Sequence, residues 1–166
     1  MAADGPPPPW LVVADLVLQR EAAACRIASG VPPRDFAGLF VADEQVDALL
    51  RTLPGLDGPS ADDVGPVLAV FDEPLRTARA ELATWVARSP AVLARCCRTL
   101  ALDPVACEVL ALLAAVELSP QRQRLAAYVQ DSVQLPRLTL AALRRLLPPA
   151  GDRAVAPGAA LVASRV

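Results

Sequence analysis

A nearly unbroken apolar stretch from Val105 to Val116, "VACEVLALLAAV", limits what this chain can fold into. Its one charged residue is Glu108, and Asp103-Pro104 stands just before it. An acid followed by proline is typical of a helix N-cap and first helical position. A helix that is apolar nearly all round needs cover on every side. The sequence therefore predicts a helix that runs to about Glu117 and lies at the centre of its domain.

Helical periodicity also extends over three segments before this stretch. The first, Trp10 to Ser29, is followed by Gly30 and two prolines, which end helices. The second, Val67 to Ser89, contains Pro74, which either divides it or lies in a first turn. The third runs from Pro90 to Leu100, and we expect its inward-facing residues to be Val92, Leu93, Cys96 and Leu100.

Two shorter helices are predicted after the apolar stretch. Ser119-Pro120 repeats the start signal, and we expect Arg122 and Gln123 of that helix to face outward. Thr139 caps a second short helix, which is rich in leucine and ends at Pro148-Pro149. The tail "AVAPGAALVASRV" indicates a turn and then a strand.

Three helices followed by a strand is the order of a winged helix, a helix-turn-helix relative. We therefore predict a mainly α chain with minimal β structure. It has a disordered leader over residues 1–9, a helical N-terminal region over 10–100 and a winged-helix domain over 101–166. We expect the wing to be truncated at the C-terminus, because a complete wing needs a second strand. Within the N-terminal region we predict a short strand or extended segment at Leu39–Val41, a helix capped by Asp43, and a loop over 54–66.

The residue types exclude several kinds of catalysis. All sixteen basic residues are arginine, so a Schiff-base lysine, a P-loop lysine, a histidine triad and a histidine metal site are excluded. The four cysteines form no CxxC pair and are interpreted as buried free thiols. Adjacent acids, as at Asp62-Asp63, do not make a facing pair in a cleft. We predict no catalytic, cofactor-binding or metal-binding residue, and no enzyme.

Arginines make the segment from Ser119 to Arg153 locally basic, with six arginines against two acids. On a winged helix, Arg144 and Arg145 lie on the helix that enters a major groove. The alternative is a solvated face whose arginines pair with acids elsewhere, and we favour it. A net charge of −2 and the lack of Asn or Gln beside these arginines argue against nucleic acid as a partner. The candidate interaction surface consists of Arg122, Arg137, Arg144 and Arg145.

Targeting signals are not visible in the sequence. The first apolar run lacks a basic start, and the longest one is far too short to cross a bilayer. Reduced cysteines with no export signal indicate the cytoplasm and no membrane partner.

Several motifs resemble a known family. "VELSPQRQRLAAYVQDSV", "LTLAALRRLL" and "APGAALVASRV" resemble the winged-helix region that precedes the motor in bacterial AAA ATPases of phage-tail-like contractile injection system clusters. That family has "PEL", "YLQDD" and a leucine-rich helix at these places. "FAGLFVADEQVDALL" resembles its "F-x-GLYISD-x-EVD-x-LL" segment. Ser132 and Val116 depart from the pattern, at a second acid and a proline respectively.

This resemblance implies a non-catalytic N-terminal interaction module, because the nucleotide-binding core would follow Val166. Its implied partners are an AAA motor domain, in cis or in trans, and a protein substrate or adaptor. The alternative function is that of a stand-alone winged-helix DNA-binding protein. A small enzyme of another kind is opposed by the composition.

Overall fold

A computed structural model describes residues 5–29, 65, 68–132, 135–147 and 151–163, which are mainly helical and contain no strand. The mainly α fold class is confirmed. A 3-10 turn at Ala69–Phe71 precedes the second helix. The α-helices in these ranges are α1 (Pro9–Ser29), α2 (Asp72–Arg88), α3 (Val92–Thr99), α4 (Pro104–Glu117), α5 (Pro120–Val129), α6 (Leu140–Leu146), α7 (Gly151–Ala154) and α8 (Ala160–Ala163).

Local sequence signals start α4, α5 and α6 where they were expected. Pro74 lies in the first turn of α2, which was one of the two alternatives. Proline occupies the first turn of α4 and of α5, where its missing N–H group costs no helical bond. Backbone N–H groups donate to the three predicted caps: Ala106 to Asp103 Oδ1 (2.8 Å), Arg122 to Ser119 Oγ (3.4 Å) and Ala142 to Thr139 Oγ1 (3.2 Å).

Two helices end on a left-handed residue that is not glycine. Ala101 follows α3 with φ of 49°, and Asp131 follows α5 with the same φ. After α3, the Leu102 N–H donates to the Cys97 carbonyl at 3.0 Å, which is the long bond of a Schellman motif. The sequence has no glycine at either position, so the left-handed conformation carries a free-energy cost at both helix ends.

The predicted central helix is confirmed, since Val109, Ala111, Leu112 and Ala115 of α4 have no exposed surface. Helices α1, α5, α7 and α8 pack against α4, and α1 also packs against α2. Helices from both sides of the predicted boundary at residue 100 share this core. Its members on other helices include Val13, Val17 and Leu18 of α1, Leu75 and Leu82 of α2, and Leu143 and Leu146 of α6.

The inward face of α3 was predicted correctly in part. Leu93 and Cys96 pack against the core as expected, whereas Val92 is 69% exposed, and Ala94 and Cys97, which were not predicted, are buried. Val92 is the first residue of α3, and Ser89 to Ala91 lead into it as a bend rather than as helix. The helix therefore begins two residues later than predicted, and its first residue remains exposed.

The predicted C-terminal strand is also wrong within the described residues. The tail forms two short helices, α7 and α8, and Leu161 of α8 reaches the core. Gly158 has φ of 90°, a conformation that glycine adopts freely, and it lies in the turn between them. Alanine-rich segments favour helix over strand once one face is buried. The predicted strand at Leu39–Val41, the helix capped by Asp43, and the 54–66 loop apart from Gly65 lie outside the described residues.

Candidate interaction surface

Arg122 is held by an acid on a different helix. Its Nε donates to Asp15 Oδ1 at 2.6 Å and its Nη2 to Asp15 Oδ2 at 2.8 Å, which joins α5 to α1. The two side chains are 22% and 35% exposed. The hydrogen bonds to Asp15 raise the pKa of Arg122. Our expectation that Arg122 faces outward is therefore wrong, because α1 packs over that face of α5.

Arg145 lies where α1, α5 and α6 meet. Its guanidinium donates to Glu21 Oε1 of α1 and to the backbone carbonyl of Val129 at the end of α5. The Glu21 side chain is only 11% exposed. The Cys25 thiol, one turn further along α1, lies 4.0 Å from Glu21 Oε1 and 3.9 Å from the Val129 oxygen. Arg145 thus supplies a positive charge to a largely covered carboxylate.

The ion pairs Arg122–Asp15 and Arg145–Glu21 together are called the α1 clasp here. Both connect α1 to helices more than a hundred positions later in the chain. Because α1 supplies both carboxylates, the clasp neutralises two of the four arginines predicted to form the interaction surface. Phosphates of a nucleic acid would have to displace these acids to reach the same guanidinium groups.

The other two candidate arginines are exposed. Arg137 Nε lies 2.9 Å from Glu117 Oε1, and the two side chains are 79% and 50% exposed. Such a surface pair contributes little to stability. Arg144 is exposed on α6 beside Arg145. Of the four predicted arginines, Arg122 and Arg145 both bind acids of α1. Arg137 contacts Glu117 at the end of α4.

The Gln130 side chain holds the loop before α6. Its Nε2 donates to the carbonyls of Ala126, Leu135 and Arg137, and its Oε1 accepts from the Thr139 N–H at 2.8 Å. These bonds fix the loop that carries Arg137 against the end of α5. Residues 133 and 134 of this loop lie outside the described part.

An ion pair at a cleft was missed by the sequence reasoning. Arg79 of α2 donates to Glu108 through Nε at 2.9 Å and Nη2 at 2.8 Å. Glu108 is 8% exposed, whereas Arg79 is about half exposed. Both line a cleft of about 460 Å³ with apolar neighbours and Cys107. A single acid in a wholly apolar helix was a signal that a partner cation had to lie opposite it.

The buried thiols are poor nucleophiles. Burial raises the pKa of Cys107 to about 12, and a hydrogen bond with Cys97 adds to this effect. Burial likewise raises the pKa of Cys97 and of Cys25. All four cysteines are free. Since the thiolate is the reactive form, Cys25, Cys97 and Cys107 are suited to packing rather than to covalent catalysis.

No family model, no curated protein and no solved structure matches this chain. Among the described residues no group of three or more Cys, Asp or Glu side chains could hold a metal ion. In the same ranges no single helix is long and apolar enough to cross a membrane; only α4 and α5 together would pass by length and composition, and they are bent by 114°.

Proposed function

We propose that this chain is a non-catalytic protein-interaction module, the N-terminal region of a bacterial AAA ATPase of the contractile injection system type. It presents helical surfaces to a motor domain and to a protein substrate or adaptor in the cytoplasm. The observation that carries the proposal is the α1 clasp, in which Arg122 and Arg145 are engaged by acids of the same chain. A surface built this way favours protein packing over phosphate binding.

Two further observations support the proposal. Large apolar side chains are exposed on several elements, among them Leu118 (74%) and Leu140 (58%), and are accessible to a protein partner. The motifs around Tyr128 to Asp131 resemble the AAA family, in which this region precedes the motor.

The winged-helix part of the proposal rests on α4, α5 and α6. Helices α4 and α5 are bent by 114° to each other, and α6 follows them as the third helix in the order of a winged helix. Leu118 and Ser119 form the short connection. The helical tail supplies no wing within the described residues, so the proposed relation is to the helix-turn-helix core alone.

The reading frame downstream of Val166 gives the first test. We expect it, or a neighbouring gene, to encode an AAA core with a GxxxxGK[S/T] motif, which binds the phosphates of ATP. Co-expression of that core with this chain should give a stable complex in size-exclusion chromatography with light scattering. A genome in which neither the frame nor its neighbours encodes such a motor contradicts the proposal.

A binding measurement with duplex DNA is the second test, because it distinguishes the proposed interaction module from the alternative, a DNA-binding protein. We expect no change in fluorescence anisotropy of a labelled duplex at about 50 mM salt, where nonspecific binding is strongest. Binding of the duplex that weakens with salt and is lost in Arg144→Ala would favour a DNA-binding protein instead. Arg144 is the suitable position since Arg145 also holds Glu21. A thermal melt of the variant serves as the folding control.

A further inference from the structure

The exposed face of α2 lines a shallow groove of about 730 Å³. Small side chains, among them Thr77, Ala80 and Thr84, leave this face open, and Trp85 lies half-buried beside them. Pro9, the first residue of α1, also lines the groove. The groove lies on α2 and does not involve the α1 clasp.

Charge is distributed unevenly along this groove. Arg88 lines it and forms no ion pair with another described residue. Arg98 of α3 donates through Nη1 to the Ser89 carbonyl at 2.9 Å and to the Val86 carbonyl, which places a second guanidinium at the same end. At the opposite end Arg76 is paired with Glu73, and the carboxylate of Glu81 lines the groove between the two ends. The Ser89 end is therefore positive, and it complements an acidic group.

We propose that this groove binds a proline-rich protein segment in the polyproline II conformation, with an acidic residue at the Ser89 end. Polyproline II segments dock into aromatic-lined grooves and lose little conformational entropy when they bind. From Arg76 to Arg88 the helix rises about 18 Å at 1.5 Å per residue. A polyproline II segment of about six residues has the same length at 3.1 Å per residue.

The inference deepens the proposed interaction function, since it names the chemistry of one partner, and it rests on that function. Experiments can contradict the groove inference and the proposed function independently of each other. Assembly with an AAA motor is measured with the motor alone, whereas the groove is tested with short peptides and no motor. A motor complex without peptide binding would overturn the groove inference only.

Isothermal titration calorimetry of the full chain with four synthetic peptides tests the proposal. The peptides are PPPPPPDD, DDPPPPPP, PPPPPPKK and KKPPPPPP, which cover both chain directions and both charges. We expect one of the two acidic peptides to bind best. The corresponding lysine peptide should bind more weakly by up to about fivefold, the range of an exposed ion pair.

Three variants locate the binding to the groove. Ala80→Arg fills the open face of α2 and should abolish peptide binding, because residue 80 is exposed and its replacement leaves the core intact. Arg88→Glu should reverse the preference from the acidic to the lysine peptide. Arg95→Glu on α3 makes the same charge change at an exposed position outside the groove, and it should leave binding unchanged. Thermal melts confirm that each variant is folded.

Several results would overturn the proposal. These are no heat of binding for any peptide at millimolar concentration, binding that survives Ala80→Arg, or an equal effect of Arg88→Glu and Arg95→Glu. Light scattering provides one more decisive outcome. A dimer that Ala80→Arg converts to monomer, with no peptide binding, would assign the groove to a second copy of the chain.

Discussion

The guanidinium of Arg79 and the carboxylate of Glu108 meet through two parallel hydrogen bonds, although 29 positions separate them in the chain. This contact ties α2 to the otherwise apolar core helix α4. Glu108 is nearly covered, so its charge depends on the partner that α2 supplies.

Arg79→Met should lower the free energy of unfolding by about 1–3 kcal/mol, because it leaves the Glu108 carboxylate without its cation. The loss stays below that of a fully buried pair since water reaches the half-exposed Arg79 site. The double variant Arg79→Met with Glu108→Leu should lose less, as both polar partners are then removed. Urea unfolding measures all three proteins. A double variant less stable than the single one would contradict this account.

The α1 clasp should contribute measurably to stability. Arg122→Ala and Asp15→Ala should show a coupling free energy of about 0.5–2 kcal/mol in a double-mutant cycle, because their bidentate bonds are only partly exposed. Arg124→Ala, on the same helix and exposed, should change stability by less than about 0.5 kcal/mol. Additive effects of Arg122→Ala and Asp15→Ala in urea melts would show that the pair is not formed in solution.

Replacing Ala101 by glycine should stabilise the chain by about 0.5–1 kcal/mol, because alanine with φ of 49° has a cost that glycine avoids. The greater freedom of glycine in the unfolded chain offsets part of this gain. Thermal melting measures the change. Leu100→Gly, one residue earlier and with negative φ, is the matched control and should be destabilising. An unstable Ala101→Gly protein would argue against the left-handed end of α3.

Cys107 should resist alkylation in the native protein at pH 8, since burial holds its pKa at about 12. The native state keeps this proton to a higher pH than the unfolded state, whose thiol has a pKa of 9.0. The resulting stability is therefore complete below pH 9 and is lost as pH rises from 9 towards 12. Iodoacetamide labelling with mass spectrometry tests the first point, and urea melts across this pH range test the second.

Cys107→Ala is the control for the pH dependence. It should reduce the fall in stability between pH 9 and 12, whatever its effect at neutral pH, and the raised pKa of Cys97 accounts for a remainder. Rapid labelling of Cys107 in the folded protein, or an unchanged alkaline slope in this variant, would contradict a buried thiol.

Local chemistry made much of the helical order predictable. The Asp103-Pro104 and Ser119-Pro120 starts and the Thr139 cap depend on residues within one turn, so their signals are complete in the sequence. The apolar sequence of α4 also predicted that this helix is buried, because a helix that is apolar nearly all round needs cover on every side. The helical tail was not predictable, because alternating small apolar residues suit a strand or a helix equally well until a neighbour is present.

The sequence by itself determined where α4, α5 and α6 begin, which helix is central, and that lysine and histidine chemistry is absent. Only the tertiary structure decided which arginine meets which acid. Arg122 and Asp15, like Arg145 and Glu21, lie on helices far apart in the chain, and their pairing depends on α1 packing across α5 and α6. Residue spacing carries no information about contacts between helices. Long-range packing therefore determined which part of the basic surface is neutralised within the chain.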